Sequence, residues 1–174
     1  MLEKNNKYKV LKVFLFNPTE SFRLRELSRI TKISPPSVIN YLKELEKEEL
    51  IRKYVKREIP FYQAERDNEN FRQYKKIAVQ YELHKSELIE HLWQKLSPDA
   101  IILYGSYAKG ESIEHSDIDI FIIGVEKKLN LEEFEKKLGA EIHLMFNKNP
   151  KKIPNELKNN LINGIVLKGY FKVF

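Results

Sequence analysis

Apolar positions in the first third of the chain recur at helical spacing. Tyr8, Val10, Leu11, Phe14 and Leu15 lie three and four apart, and Asn17-Pro18 closes the helix they predict. A shorter helix fits residues 24–31, with Leu27 and Ile30 turned inward, and Lys32-Ile33 makes a tight turn. Ser34 is placed as an N-cap. Pro35 takes the first helical position, where a missing N–H is harmless. The helix that follows carries Val38, Leu42 and Leu45 at i, i+4 and i+7. The pattern then shifts toward strands at residues 50–54 and 59–63, with Lys56-Arg57 as a basic tip between them.

The helical spacing returns in residues 67–96, which contain neither Gly nor Pro. Asp67-Asn68-Glu69-Asn70 can cap a helix. Phe71, Tyr74, Ala78, Tyr81, Leu88 and Leu92 keep a three-four spacing, so one long helix or two broken near His84 is predicted. Ser97-Pro98 ends it. Residues 101–104 then read as a buried strand, Gly105-Ser106 and Gly110 as a loop, and residues 118–123 as a second buried strand. Leu129, Leu131, Phe134 and Leu138 predict an amphipathic helix over 127–138. A third strand over 140–146, a helix over 154–163 closed by Gly164, and a short strand at 165–167 complete the order. The fold class is α+β.

A chain of 174 residues suffices for one ordinary domain or two small ones. The absence of cysteine excludes disulfides and thiolate zinc sites. There is no apolar run long enough for a membrane span and no signal-peptide pattern, so a cytoplasmic protein without membrane contact is expected. Charge divides the chain. Residues 1–66 hold 15 Lys and Arg against 9 Asp and Glu, whereas residues 67–174 hold 16 of each. The whole excess of +6 therefore lies in the first third, which points to two modules with a polyanion-binding one first.

The candidate chemistry sits between the two buried strands. Asp117 and Asp119 are two apart, so on a strand they share a face and repel each other. A divalent cation resolves that conflict, and oxygen ligands suit Mg2+ together with substrate phosphates. The Gly105-Ser106 turn offers backbone N–H groups and a hydroxyl to phosphate, and Lys109 adds a mobile positive charge. These parts read as a metal–nucleoside triphosphate (NTP) site.

Gly105-Ser106, ten intervening residues and Asp117-Ile118-Asp119 resemble the signature of the polymerase β-type nucleotidyltransferases, above all its small, minimal members. Ala108-Lys109-Gly110 and Ser116 before the paired aspartates also fit. The resemblance covers about residues 86–170 and implies that Gly105, Ser106, Lys109 and Ser116 bind the nucleotide. It implies that Asp117 and Asp119 hold one or two Mg2+ ions. Members of the family carry a third carboxylate on the next strand. In this chain the choice lies between Glu141 and His143, which share a face of the strand. Glu141 is one methylene longer than aspartate, and a neutral imidazole is a poor Mg2+ ligand.

The segment over residues 24–53 resembles the winged helix-turn-helix of prokaryotic, archaeal-like transcriptional regulators, a match that extends over nearly all of residues 5–66. In that geometry the third helix enters the major groove of DNA. Ser37, Asn40, Tyr41 and Lys43 lie off the core stripe and become candidates for base or phosphate contact. Lys53, Lys56 and Arg57, with Arg23 and Arg25, suit phosphates. The expected organisation is a winged helix-turn-helix over 1–66, a helical connector over 67–98 and a minimal nucleotidyltransferase domain over 99–174. Part of the apolar face of the connector is expected to pack on the nucleotidyltransferase sheet, and the remainder, with Trp93 and the tyrosines, offers a homodimer contact. His84 and His91, seven apart, do not have the spacing of a zinc pair, and no Walker, Gly-x-Ser-x-Gly or His-Glu-x-x-His motif occurs.

Two functions follow. One is an enzyme that moves a nucleoside monophosphate from Mg-NTP, ATP among the candidates, to an acceptor hydroxyl. The resemblance implies a partner protein of the HEPN type as one acceptor, as in toxin–antitoxin systems, with a small molecule or an RNA end as the alternatives. The other is a DNA-binding regulator whose nucleotidyltransferase domain only senses a nucleotide or binds a partner.

Overall fold

The computed structural model describes residues 4–148 and 153–170. Residues 1–3 and 171–174, at the ends of the first and last predicted modules, and 149–152, inside the last, lie outside the described residues. The chain divides into two compact units, Met1–Lys75 and Lys76–Phe174.

The first unit opens with α1 (Asn6–Phe16), capped by Asn5, whose side-chain oxygen accepts the Tyr8 N–H at 3.0 Å. Strand β1 (Ser21–Phe22) precedes α2 (Leu24–Thr31), whose start is fixed by the Arg23 N–H donating to Glu26 Oε2 at 2.7 Å. Helix α3 (Pro35–Lys47) follows, and Val38, Leu42 and Leu45 are buried as the spacing predicts. Ile30 departs from expectation. Leu27 is fully buried, but Ile30 is 55% exposed. It lies at the end of an eight-residue helix, on the lip of an open cleft with Lys9, Val13 and Phe16.

Strands β2 (Ile51–Lys56) and β3 (Ile59–Ala64) form the hairpin, and β1 adds to the far side of β3, giving the antiparallel order β1-β3-β2. The sequence pattern placed the tip one residue early. Lys56 pairs with Ile59, and the two-residue turn is Arg57-Glu58, both with positive φ of 51° and 64°. Helix α4 (Glu69–Lys85) starts where Asn68 Oδ1 accepts the Phe71 N–H.

In the second unit α5 (Leu88–Leu96) is separated from α4 by Ser86-Glu87, two residues past the predicted break. Glu87 adopts a left-handed φ of 67°. The sheet comprises β4 (Ala100–Tyr104), β5 (Ile118–Ile123), β6 (Ile142–Phe146) and β7 (Ile165–Gly169) in the order β6-β5-β4-β7. It is mixed: β5 and β6 run parallel and the other pairs antiparallel. Strands β4 and β5 are central and almost wholly apolar because both faces are covered. On one face Ala100, Ile102, Phe121 and Ile123 pack with Ile153 and Leu161, and α8 (Asn155–Ile162) lies over β4.

Two predicted stretches change. The loop after β4 begins with a short helix, α6 (Gly105–Lys109). The helix predicted over 127–138 starts late, as α7 (Glu132–Leu138). Asn130 Oδ1 accepts the Glu132 N–H at 3.0 Å, a local side-chain bond that starts the helix after Leu131. No helix among the described residues is long and apolar enough to cross a membrane.

Candidate functional site

Strand pairing assembles the site. The C-terminal end of β4 lies against the N-terminal end of β5, so Tyr104 stands opposite Asp119. The parallel neighbour β6 places His143 opposite Asp119 on its other side. Tyr104, Asp119 and His143 therefore lie in a row across three strands, and Gly105 follows Tyr104 at the end of β4. Asp117, one residue before β5, is drawn to Glu141 by the Ile118 N–H, which donates to the Glu141 carbonyl at 2.8 Å. Glu141 is held in turn by Glu135 of α7, whose Oε1 accepts the Ile142 N–H at 3.0 Å.

The four side chains converge without touching. His143 Nδ1 is 3.8 Å from Asp117 Oδ2 and 3.9 Å from Asp119 Oδ1, and Nε2 is 3.9 Å from Glu141 Oε2. One ligand atom each from Asp117, Glu141 and His143 lie within 4.8 Å of one another. Burial holds the Asp119 carboxyl above the usual aspartate range; the His143 charge pulls it down and the Asp117 charge pushes it up again. The hydroxyls of Tyr104 and Tyr107 are both raised by burial, then by the charges of Asp119 and Asp117 respectively. This end of the sheet thus carries a negative field with a gap between its acids. Two donors on one ion at about 2.0–2.2 Å lie roughly 3 Å apart if adjacent and roughly 4.3 Å if opposite, so the observed spacings fit a divalent cation. Asp117 and Asp119 can both face it, as their i, i+2 spacing predicts.

Gly105 has a close structural role. Its φ is +71°, and a Cβ there would sit 2.5 Å from Asp119 Oδ2. Only glycine lets α6 begin this near the carboxylate. Ser106, next along, is half-buried, and Lys109 projects from the last turn of α6 into solvent. Gly110 ends α6 with a φ of 74°. The Ser116 hydroxyl accepts the Ile113 N–H at 2.8 Å, which closes the loop before Asp117. Ser116 thus shapes the loop that presents the aspartates. Sequence reasoning missed Glu135 and Tyr104, which reach the site through register and a long-range bond that no local motif encodes.

In the N-terminal unit Asn40 and Lys43 are exposed on α3, and Ser37 and Tyr41 are half-buried beside them. Ser37 Oγ lies 2.9 Å from Ser34 Oγ. Near the end of α3, Lys7 of α1 pairs with Glu44 at 3.0 Å and Glu48 at 2.6 Å. Lys53, Lys56 and Arg57 are exposed on the hairpin. Its other features are a stacked Tyr54–Phe61 pair, the Arg23 guanidinium 4.9 Å over the Phe61 ring, and a Tyr54 hydroxyl bonded to Ser21.

Comparison with known proteins agrees with this geometry. Residues 85–167 match the nucleotidyltransferase domain family, and residues 23–52 match the winged helix-turn-helix DNA-binding family. A Methanocaldococcus jannaschii protein provisionally named a protein adenylyltransferase is 43% identical over 61 residues. That stretch is 34% of this chain and 49% of the relative, so the match spans about half the relative's length.

Proposed function

From a chain that joins a winged helix-turn-helix to a nucleotidyltransferase domain, we propose an enzyme that transfers a nucleoside monophosphate from an NTP to a hydroxyl on a partner protein. The observation that supports this reading is the register that sets Asp119 between Tyr104 and His143, with the Gly105 backbone against its carboxylate and Asp117 and Glu141 beside it. ATP is the first candidate donor and a protein the first candidate acceptor, in keeping with the name of the archaeal relative.

Asp117 and Asp119 would hold a divalent cation, Mg2+ in the first instance. When bound there, such an ion supplies counter-charge to the triphosphate and to the departing pyrophosphate. Gly105, having no side chain, lets the start of α6 lie against the Asp119 carboxylate, so its backbone would stand beside the triphosphate. Ser106 offers a hydroxyl donor and Lys109 a mobile cation. The acceptor oxygen forms a bond to the α-phosphorus as the bond from that phosphorus to the bridging oxygen breaks, and pyrophosphate leaves. The acceptor's proton passes to a base at the mouth of the site, Glu141, or His143 where its ring is not bound to the ion. The exposed Asn40, Lys43, Lys53, Lys56 and Arg57 would place the N-terminal unit on DNA, with Ser37 and Tyr41 at its edge.

A second reading is favoured by two observations: the residue opposite Asp119 is His143, and Glu141, just before β6, is 79% exposed. On that reading the nucleotidyltransferase domain binds a nucleotide and modulates DNA binding without transfer. The two separate in one experiment. The full chain is incubated with α-labelled ATP, divalent cation and the products of neighbouring genes. Label on a protein, lost in Asp117→Ala, supports transfer. Nucleotide-dependent DNA binding with no label on any acceptor supports the regulator and removes the enzyme reading.

A further inference from the structure

His143 has an environment that neither packing nor simple ion pairing explains. It is 57% exposed, so it is no core residue. Its two ring nitrogens face opposite ways onto three carboxylates, all at 3.8–3.9 Å, beyond hydrogen-bond reach. Nδ1 looks toward Asp117 and Asp119 together; Nε2 looks toward Glu141. Parallel pairing with β5 fixes the backbone of His143 opposite Asp119.

We infer that His143 Nδ1 is a ligand of the cation held by Asp117 and Asp119, that Glu141 orients the ring through Nε2–H, and that the centre therefore prefers a first-row transition ion such as Mn2+ to Mg2+. The inference rests on the metal–nucleotide reading above. The separations of Nδ1 from Asp117 Oδ2 and Asp119 Oδ1 fall inside the range two donors on one ion can span. A ligating imidazole ordinarily donates its other N–H to a carboxylate, which fixes tautomer and ring orientation, and Glu141 Oε2 lies on that side of the ring, 3.9 Å from Nε2. An imidazole donor discriminates against Mg2+, which takes oxygen ligands and releases its water reluctantly. Transition ions accept nitrogen and oxygen together, and affinity rises along the first-row series. Replacing the imidazole by a carboxylate should return the centre to Mg2+.

The test is metal binding to the full chain without nucleotide. Mn2+ binding is followed by electron paramagnetic resonance, with Mg2+ as competitor, in the wild type, His143→Asp and Glu141→Gln. Thermal unfolding confirms that each variant is folded. The wild type should bind Mn2+ with a nitrogen coupling from one imidazole in the pulsed spectrum. His143→Asp should lose that coupling and lower the Mn2+ to Mg2+ affinity ratio about tenfold. Glu141→Gln should keep the coupling and weaken Mn2+ binding by about tenfold or more. Mn2+ binding without nitrogen coupling, or a ratio unchanged in His143→Asp, overturns the inference while leaving the aspartate site standing. Failure of the wild type to bind either ion overturns both.

Discussion

Replacing Gly105 by alanine tests the site through its tightest contact. Two costs combine at this residue. A side chain at φ +71° costs about 1–2 kcal/mol from the left-handed backbone alone. The new Cβ would also lie 2.5 Å from Asp119 Oδ2, so the carboxylate must withdraw by about 0.9 Å to reach an ordinary contact of 3.4 Å. That exceeds the roughly 0.5 Å within which a binding constellation must be held. Gly139 supplies the control. Its φ is +70°, yet a Cβ there meets nothing within 4 Å. Gly139→Ala should therefore carry the backbone cost alone, and Gly105→Ala the backbone cost plus the displaced carboxylate. In a unit of this size each kcal/mol lowers the melting temperature by about 4–8 °C. Differential scanning calorimetry should place both variants below wild type, with Gly105→Ala no higher than Gly139→Ala. Titration with a divalent cation and ATP should then show binding kept in Gly139→Ala and abolished in Gly105→Ala. A Gly105→Ala protein that binds as the wild type does would refute the placement of Asp119 against the Gly105 backbone in the working site.

Three further outcomes are expected. Asp119 is held above the ordinary value of 3.8, so the metal-free fold bears a cost for its charge at neutral pH and sheds it as pH falls through the raised value. Asp119→Asn should thus be more stable than wild type at pH 7 without metal, with the gap closing toward acid; denaturant unfolding showing it less stable at pH 7 would contradict this. Lys7 is raised above 10.5, first by its hydrogen bond to Glu48, so its pairs contribute fully below that value and fade as pH rises past the folded one. Lys7→Met should cost up to about 1 kcal/mol near neutrality and nothing at strongly alkaline pH, read from urea midpoints. The double variant Lys56→Ala with Arg57→Ala should weaken binding to all DNA sequences alike and lower the salt slope by about 0.9 for each phosphate that is no longer neutralised. An unchanged slope would remove the hairpin from the interface.

Much of this architecture was legible because the signals were periodic or chemically singular. Val38, Leu42 and Leu45 mark one helix face, Pro35 marks its start, and the apolar runs of β4 and β5 mark strands buried on both sides. The misses have physical causes. Helix α6 is five residues long, too short to display a period, and two glycines bound it, so it read as a loop. Strand β1 is two residues long and exists only because β3 has a free edge. Ile30 matched the apolar spacing of α2, but an eight-residue helix covers only part of its own stripe. At the candidate site, the pairing of Asp117 and Asp119 was evident from spacing, whereas the choice between Glu141 and His143 arose only from the family resemblance. The opposition of His143 to Asp119 depends on the register of a parallel pair separated by α7, which the local sequence does not encode. The same holds for Glu135, which anchors the start of β6 from seven residues away.

The most direct measurement is a calorimetric titration of each NTP, with Mg2+ and again with Mn2+, into the full chain and into Asp117→Ala. The account predicts saturable binding to the wild type in the presence of a divalent cation, ATP included, and its loss in a folded Asp117→Ala protein. Binding of equal strength in the two proteins, or no binding of any NTP to the wild type with either ion, would contradict it.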